Sequence, residues 1–105
     1  ERDRTLFLNA LIAYGGLDPN ATEDVTEIVI ASNRYLANGS SLIVMAQLDD
    51  ILGERTPVNV PGTSTEYPNW RRKLSADLDT ITNDARFHRL CTALRTTRPR
   101  ARNEA

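Results

Sequence analysis

The sequence predicts a mostly α-helical chain with one short buried strand, which is the pattern of one unit of an alternating β/α fold. Three observations support this fold class. Apolar residues recur at helical spacing near both ends of the 105-residue chain, an apolar run without alternation occupies residues 42–46, and a polar turn follows that run. Such a run is typical of a strand in a parallel sheet, because helices cover both faces of the sheet and bury the side chains on both sides.

The first two elements follow from apolar spacing and turn residues. A helix is expected over residues 3–14, apolar over most of its circumference and ended by the glycines at 15–16. An amphipathic helix comes next and ends at the Asn-Gly pair at 38–39. Thr22 or Asn20 can cap this second helix, because short polar side chains accept hydrogen bonds from its free backbone N–H groups.

The apolar run Leu42–Ala46 contains β-branched residues and predicts a strand without a partner strand in this chain. Its neighbours must come from another copy or from a longer protein, so the isolated chain is expected to self-associate, to swap segments or to bury the run against its own helices. The chain begins at Glu1 rather than at Met, which fits a fragment. In alternating β/α folds the functional groups lie just past the C-terminal ends of the strands. Gln47, Asp49 and Asp50 occupy that position after the predicted strand.

A third helix is expected over residues 82–95, with Thr82 or Asn83 as its cap and an end before Pro99. The polar, Arg-rich residues 97–105 are expected to fray. A chain of 105 residues is one domain's worth or less, so all of it should form a single unit.

Composition limits the function classes. A net charge of −1 with 40% apolar residues excludes disorder and provides no field that would attract nucleic acid or an acidic membrane. The single cysteine cannot form an internal disulfide, and no apolar run reaches the roughly 18 residues of a membrane helix. We therefore expect a cytoplasmic protein without a cofactor, a metal, a nucleic-acid partner or a membrane contact.

The reactive side chains do not form a catalytic group. Asp49 and Asp50 are adjacent, so they point about 100° apart in a helical turn and cannot converge on one substrate bond. His88 has no second histidine at helical spacing, and Cys91 does not lie at a helix N-terminus that would activate its thiol. No catalytic residue is therefore assigned within this chain.

Three motifs share one short region: "DDILG" at 49–53, "NVPG" at 59–62 and "NWRRKL" at 69–74. Together they resemble the C-terminal end of the 4-alpha-glucanotransferases, also called amylomaltases or disproportionating enzymes, and the resemblance covers roughly residues 22–96. It implies the C-terminal piece of a (β/α)8 barrel. It also implies transfer of α-1,4-glucan segments between maltooligosaccharides by a retaining double displacement. The family's catalytic carboxylates lie upstream, so the fragment alone is expected to be inactive.

The resemblance confines the candidate substrate contacts to the loop that follows the apolar run. Asn59, Pro61 and Gly62 match the family loop beside the glucan cleft; an amide can donate to and accept from sugar hydroxyls, Gly62 permits close approach, and Pro61 limits loop motion. Trp70 could stack on a sugar or pin the loop to the barrel, and its turn-then-helix context favours pinning. The alternative is a free-standing helical protein-interaction module that borrowed this segment.

Overall fold

A computed structural model describes residues 1–99, and the secondary structure of this part of the chain is entirely helical. The elements are α1 (Arg2–Tyr14), a short 3-10 helix (Pro19–Ala21), α2 (Val25–Ala37), α3 (Leu48–Leu52), α4 (Leu78–Thr82) and α5 (Ala85–Thr97). The mostly helical prediction and the helices expected near both ends are confirmed. Most of the "DDILG" motif lies in α3, and burial of its apolar side chains Ile51 and Leu52 stabilises this short helix.

Aspartates cap α2 and α5, so the predicted caps Asn20, Thr22, Thr82 and Asn83 are wrong. The Asp24 carboxylate accepts a hydrogen bond of 3.2 Å from the Glu27 N–H at the start of α2. Asp84 accepts one of 2.7 Å from the Arg86 N–H at the start of α5. A carboxylate both satisfies a free backbone N–H and interacts with the positive end of the helix dipole, which favours aspartate over the neighbouring amides and hydroxyls.

The predicted buried strand at Leu42–Ala46 is wrong for this chain. The segment is not assigned to a strand, and the side chains of Leu42 and Met45 are 93% and 84% exposed. A strand is stable only when neighbouring strands satisfy its backbone groups and an opposing surface covers its side chains. Residues 1–99 provide neither, so local sequence preference alone does not produce a strand here.

The buried side chains form two clusters, both of which include residues of α2. The larger joins α2 to the helices that follow it, and its buried members are Ile30, Ile51, Leu52, Ile81, Leu90 and Ala93. The smaller cluster joins α1 to α2 through Leu11, Leu17 and Ala31. Gly15 permits this second contact, because a Cβ atom at that position would lie 2.7 Å from the Ala31 carbonyl oxygen.

Arg98 ties the end of α5 to the end of α2. Its Nε donates to the Ala37 carbonyl over 2.7 Å, and its Nη2 donates to the Gly39 carbonyl over 3.0 Å. These carbonyls lie where α2 ends and lack partners within the helix, so the guanidinium group acts as a cap from a distant part of the sequence. The tail that is expected to fray begins at residue 97, and its residue Arg98 makes this contact. Residues 100–105 of that tail lie outside the part of the chain that the structure describes.

The chain exposes more surface than a compact protein of its mass. Its accessible surface is 8315 Å², whereas a compact monomer of 11.7 kDa is expected to expose roughly 5,900 Å². The exposed apolar side chains at 42–46 contribute to this excess. None of the helices within residues 1–99 is long and apolar enough to cross a membrane.

Candidate functional site

The segment between α3 and α4, residues 54–76, contains most of the family motifs, and we call it the motif loop. The Trp70 N–H donates to the Val58 carbonyl over 2.8 Å, and the Val60 N–H donates to the Asn69 Oδ1 over 2.7 Å. The Tyr67 hydroxyl donates to the Pro57 carbonyl. These contacts bring the "NVPG" and "NW" motifs side by side although the intervening spacer has no regular secondary structure.

Asn69 organises the turn that contains the "NVPG" motif. Its Oδ1 accepts from the Val60 N–H, and its Nδ2 donates to the Thr63 Oγ1 over 2.8 Å. The Thr63 hydroxyl in turn donates to the Val60 carbonyl over 2.6 Å. A side-chain amide suits this position because it donates and accepts at once. The role of Asn69 was not predicted from the sequence, although Pro and Asn are both common turn residues.

The three predicted contact residues of the "NVPG" motif lie on the surface of the loop. Asn59, Pro61 and Gly62 are all exposed. Gly62 has a φ of 82°, a backbone conformation that side chains other than glycine rarely adopt. No heavy atom lies within 4 Å of the position that a Cβ atom would take. The turn therefore presents the Gly62 backbone, the Pro61 ring and the Asn59 amide to solvent, which leaves room for a ligand.

Trp70 combines an unusual backbone with an exposed ring. Its φ is 62°, and among residues 1–99 it is the one non-glycine residue with a positive φ. The left-handed conformation is costly for a bulky residue and persists where surrounding contacts fix it, here the hydrogen bond to Val58. The side chain is 76% exposed. A sugar ring or another part of a longer protein can therefore reach the indole.

A cavity of about 360 Å³ lies between the motif loop and α3. It is lined by Gln47, Leu48, Asp49, Glu54, Thr56, Val58, Arg72, Lys73 and Leu74. The four predicted contacts Asn59, Pro61, Gly62 and Trp70 are not among the lining residues, so the structure does not gather them around this cavity. The cavity instead brings Asp49 of the "DDILG" motif near Arg72 and Lys73 of the "NWRRKL" motif.

The two carboxylates of the motif loop are held by local hydrogen bonds. Glu54 accepts from the Ser75 N–H over 2.6 Å, and these Ser75 bonds, with the charge of Arg72, lower the pKa of Glu54. Hydrogen bonds from its own backbone and from Ser64 lower the pKa of Glu66. Both groups are therefore ionised at neutral pH, where they act as hydrogen-bond acceptors rather than as proton donors.

The remaining reactive residues lie on α5. His88 is exposed and packs edge to face against Phe87, with ring centroids 5.9 Å apart. Cys91 is a half-buried free thiol. Within the described part of the chain, no three His, Cys, Asp or Glu side chains are grouped so that they could hold a metal ion.

Comparison with known proteins identifies the class to which this helical segment and its motif loop belong. The family model for 4-alpha-glucanotransferase matches residues 1–79, most of the chain. The chain therefore belongs to the 4-alpha-glucanotransferase family, and the resemblance seen in the sequence is confirmed. The match includes α1, which carried none of the motifs quoted above.

Individual relatives extend the similarity beyond the family match. A 4-alpha-glucanotransferase from Mycobacterium tuberculosis and one from Mycobacterium bovis are each 37% identical over 99 residues, which is 89% of this chain and 14% of the relative. One from Haemophilus influenzae is 34% identical over 82 residues, or 72% of this chain and 12% of the relative. The chain thus spans about one seventh of the mycobacterial relatives. No solved structure matches the chain.

Proposed function

We propose that this chain is the C-terminal segment of a 4-alpha-glucanotransferase with a (β/α)8 barrel, and that its motif loop forms one wall of the glucan cleft. The enzyme would transfer α-1,4-glucan segments between maltooligosaccharides by a retaining double displacement. One observation carries the assignment of the loop. The "NVPG" and "NW" motifs are hydrogen bonded to each other while Asn59 and Gly62 remain open to solvent, in a chain that belongs to this family.

The wall is suited to a neutral, hydroxyl-rich substrate. The Asn59 amide can donate to one sugar hydroxyl and accept from another. Gly62 lets the substrate approach the backbone closely, and Pro61 restricts the motion of the turn. The exposed indole of Trp70 either stacks on the apolar face of a sugar or anchors the loop on the rest of the barrel, and the second role remains the favoured one.

We propose that the isolated chain is catalytically inactive. A retaining transfer needs two carboxyl groups about 5 Å apart, one of which stays protonated until it acts as an acid. Glu54 and Glu66 of the motif loop have lowered pKa values, so neither is suited to that role. The isolated chain should not disproportionate maltotriose, and the gene upstream of Glu1 should encode a β/α region with the required carboxylates. Turnover by the isolated chain would contradict this proposal.

The role of the loop is tested in the full-length enzyme with Asn59→Ala. The variant loses the hydrogen bonds between the Asn59 amide and sugar hydroxyls. A loss of about 1 to 1.5 kcal/mol of binding free energy should lower the rate of glucan transfer roughly tenfold. The measurement is the rate of maltotriose disproportionation at several acceptor concentrations. Thr65→Ala is the matched control, because Thr65 is exposed on the same loop and outside the matched motifs. Equal rates for the two variants would remove Asn59 from the site.

We propose that the exposed run at Leu42–Ala46 pairs with strands from the rest of the enzyme, and that it drives self-association when the chain is isolated. Its exposed apolar side chains and the excess accessible surface of the chain support this proposal. Light scattering should show concentration-dependent association that Ile43→Asp reduces. A monomer at every concentration, with freely exchanging amides at 42–46, would contradict self-association.

A further inference from the structure

Two tyrosines at the junction of α1 and α2 form a surface that the proposed function does not use. Tyr14 lies in the last turn of α1 and Tyr35 near the end of α2, and their rings pack edge to face with centroids 6.4 Å apart. They are 69% and 43% exposed. With Asn38 and Gly39 they line a shallow cavity of about 340 Å³. We call these four residues the tyrosine patch.

Contacts beneath the tyrosine patch fix the two helix ends that carry it. The Arg34 Nη1 on α2 donates to the Gly15 carbonyl at the end of α1 over 2.9 Å. The Asn38 Nδ2 donates to the Tyr14 carbonyl over 3.2 Å. The close approach of Gly15 to Ala31 adds a third connection between the helices. A surface that is ordered in advance loses little conformational entropy when it binds a ligand.

The lining of the tyrosine patch favours a neutral ligand. Its side chains are two phenols and one amide, so a charged ligand would lose hydration without gaining a countercharge from the lining. The aromatic rings can cover an apolar surface. The two phenol groups and the Asn38 amide can donate to and accept from hydroxyl groups. A sugar has this combination of an apolar ring face and surrounding hydroxyls.

We infer that the tyrosine patch is a second binding site for an α-1,4-glucan, separate from the motif loop. The choice of this sugar rests on the proposed function, whereas the patch itself rests on its own geometry. None of its residues lines the cavity beside the motif loop. Its volume lies at the lower end of the range for small-ligand sites, so a short section of a glucan fits it. A second contact raises the local concentration of long glucans relative to short ones.

The test is a titration of the 105-residue chain with maltoheptaose, followed through amide chemical shifts. Saturating shifts are expected at Tyr14, Tyr35, Asn38 and Gly39. Replacing either ring, as in Tyr14→Ala or Tyr35→Ala, should weaken this binding about tenfold, and Tyr35→Phe should retain most of it. Leu36→Ala is the matched control, because Leu36 is exposed beside Tyr35 but does not line the cavity. The Leu36→Ala variant should bind maltoheptaose with the same affinity as the unchanged chain.

The outcomes separate this inference from the proposed function. Shifts confined to residues 58–70 would overturn the second site and leave the role of the motif loop intact. Saturating shifts at the tyrosine patch, combined with an Asn59→Ala enzyme of unchanged activity, would support the second site and remove Asn59 from the cleft. The absence of shifts at the patch would overturn the inference. Sugar-free shifts at the patch that depend on protein concentration and persist in Ile43→Asp would also overturn it, because they would identify a second copy as the occupant of the patch.

Discussion

The helical part of the chain and the motif loop are stabilised by different interactions. The helices bury apolar side chains such as Ile30, Ile51 and Leu90 against one another. The motif loop, by contrast, is held by hydrogen bonds that Asn69 and Trp70 make with a turn in which Asn59, Pro61 and Gly62 are exposed. Burial gives the helices stability that extends across several elements, whereas the loop bonds are local. The helices therefore act as the support, and the loop presents the groups that a substrate can reach.

The largest effect should come from truncation of a core side chain. Ile51→Ala is expected to lower the free energy of unfolding by about 2 to 5 kcal/mol, because it leaves a cavity in the larger cluster. Ile43→Ala is the matched control, and its effect should stay within about 0.5 kcal/mol because Ile43 is exposed. Urea denaturation measures both. Equal losses would show that the run at 42–46 is buried and would remove the contrast between the two regions.

The second largest effect should come from Arg98→Ala. Loss of charged hydrogen bonds to the Ala37 and Gly39 carbonyls should cost about 1.5 to 3 kcal/mol. Hydrogen exchange should show faster opening at the end of α2. Arg95→Ala, an exposed change in the last turn of α5, provides the comparison. If both variants unfold at the same urea concentration, the link between the helix ends contributes nothing to stability.

A smaller and more local effect is expected for Asn69→Ala. The lost hydrogen bonds should destabilise the turn by about 1 to 2 kcal/mol, seen as faster exchange of the Val60 amide. The urea midpoint of the helices should not change, because the loop opens without them. Thr65→Ala should leave both measurements unaltered. A lower urea midpoint for Asn69→Ala would mean that the loop and the helices unfold as one unit.

The smallest effect concerns pH. Hydrogen bonds from the Arg86 side chain and backbone lower the pKa of Asp84 from 3.8 to about 2. Because the folded value lies below the unfolded one, the stabilisation is complete above about pH 4. It declines as pH falls and is lost near pH 2. Arg86→Gln should return the pKa of Asp84 toward its ordinary value, as followed by the carboxyl carbon shift. An unchanged pKa would remove the ion pair as its cause.

Part of the site could be predicted from the sequence because its signals are local. The "NVPG" and "NWRRKL" motifs located the loop and the family, and their residues are adjacent in the chain. The contacts within the loop were not predictable in the same way. Asn69 could have been recognised as a turn residue, but its acceptor role toward Val60 depends on a fold that brings residues nine positions apart together. The cavity beside α3 likewise depends on packing between separate elements.

The sequence by itself determined the helices near both ends and the membership of the family, because helical periodicity and short motifs depend on residues close in the chain. Tertiary structure decided the rest. It placed the caps at Asp24 and Asp84 among several candidate residues, joined Arg98 to the end of α2, and left Leu42–Ala46 without a sheet. A strand needs partners distant in sequence or on another chain, so apolar composition alone does not produce one.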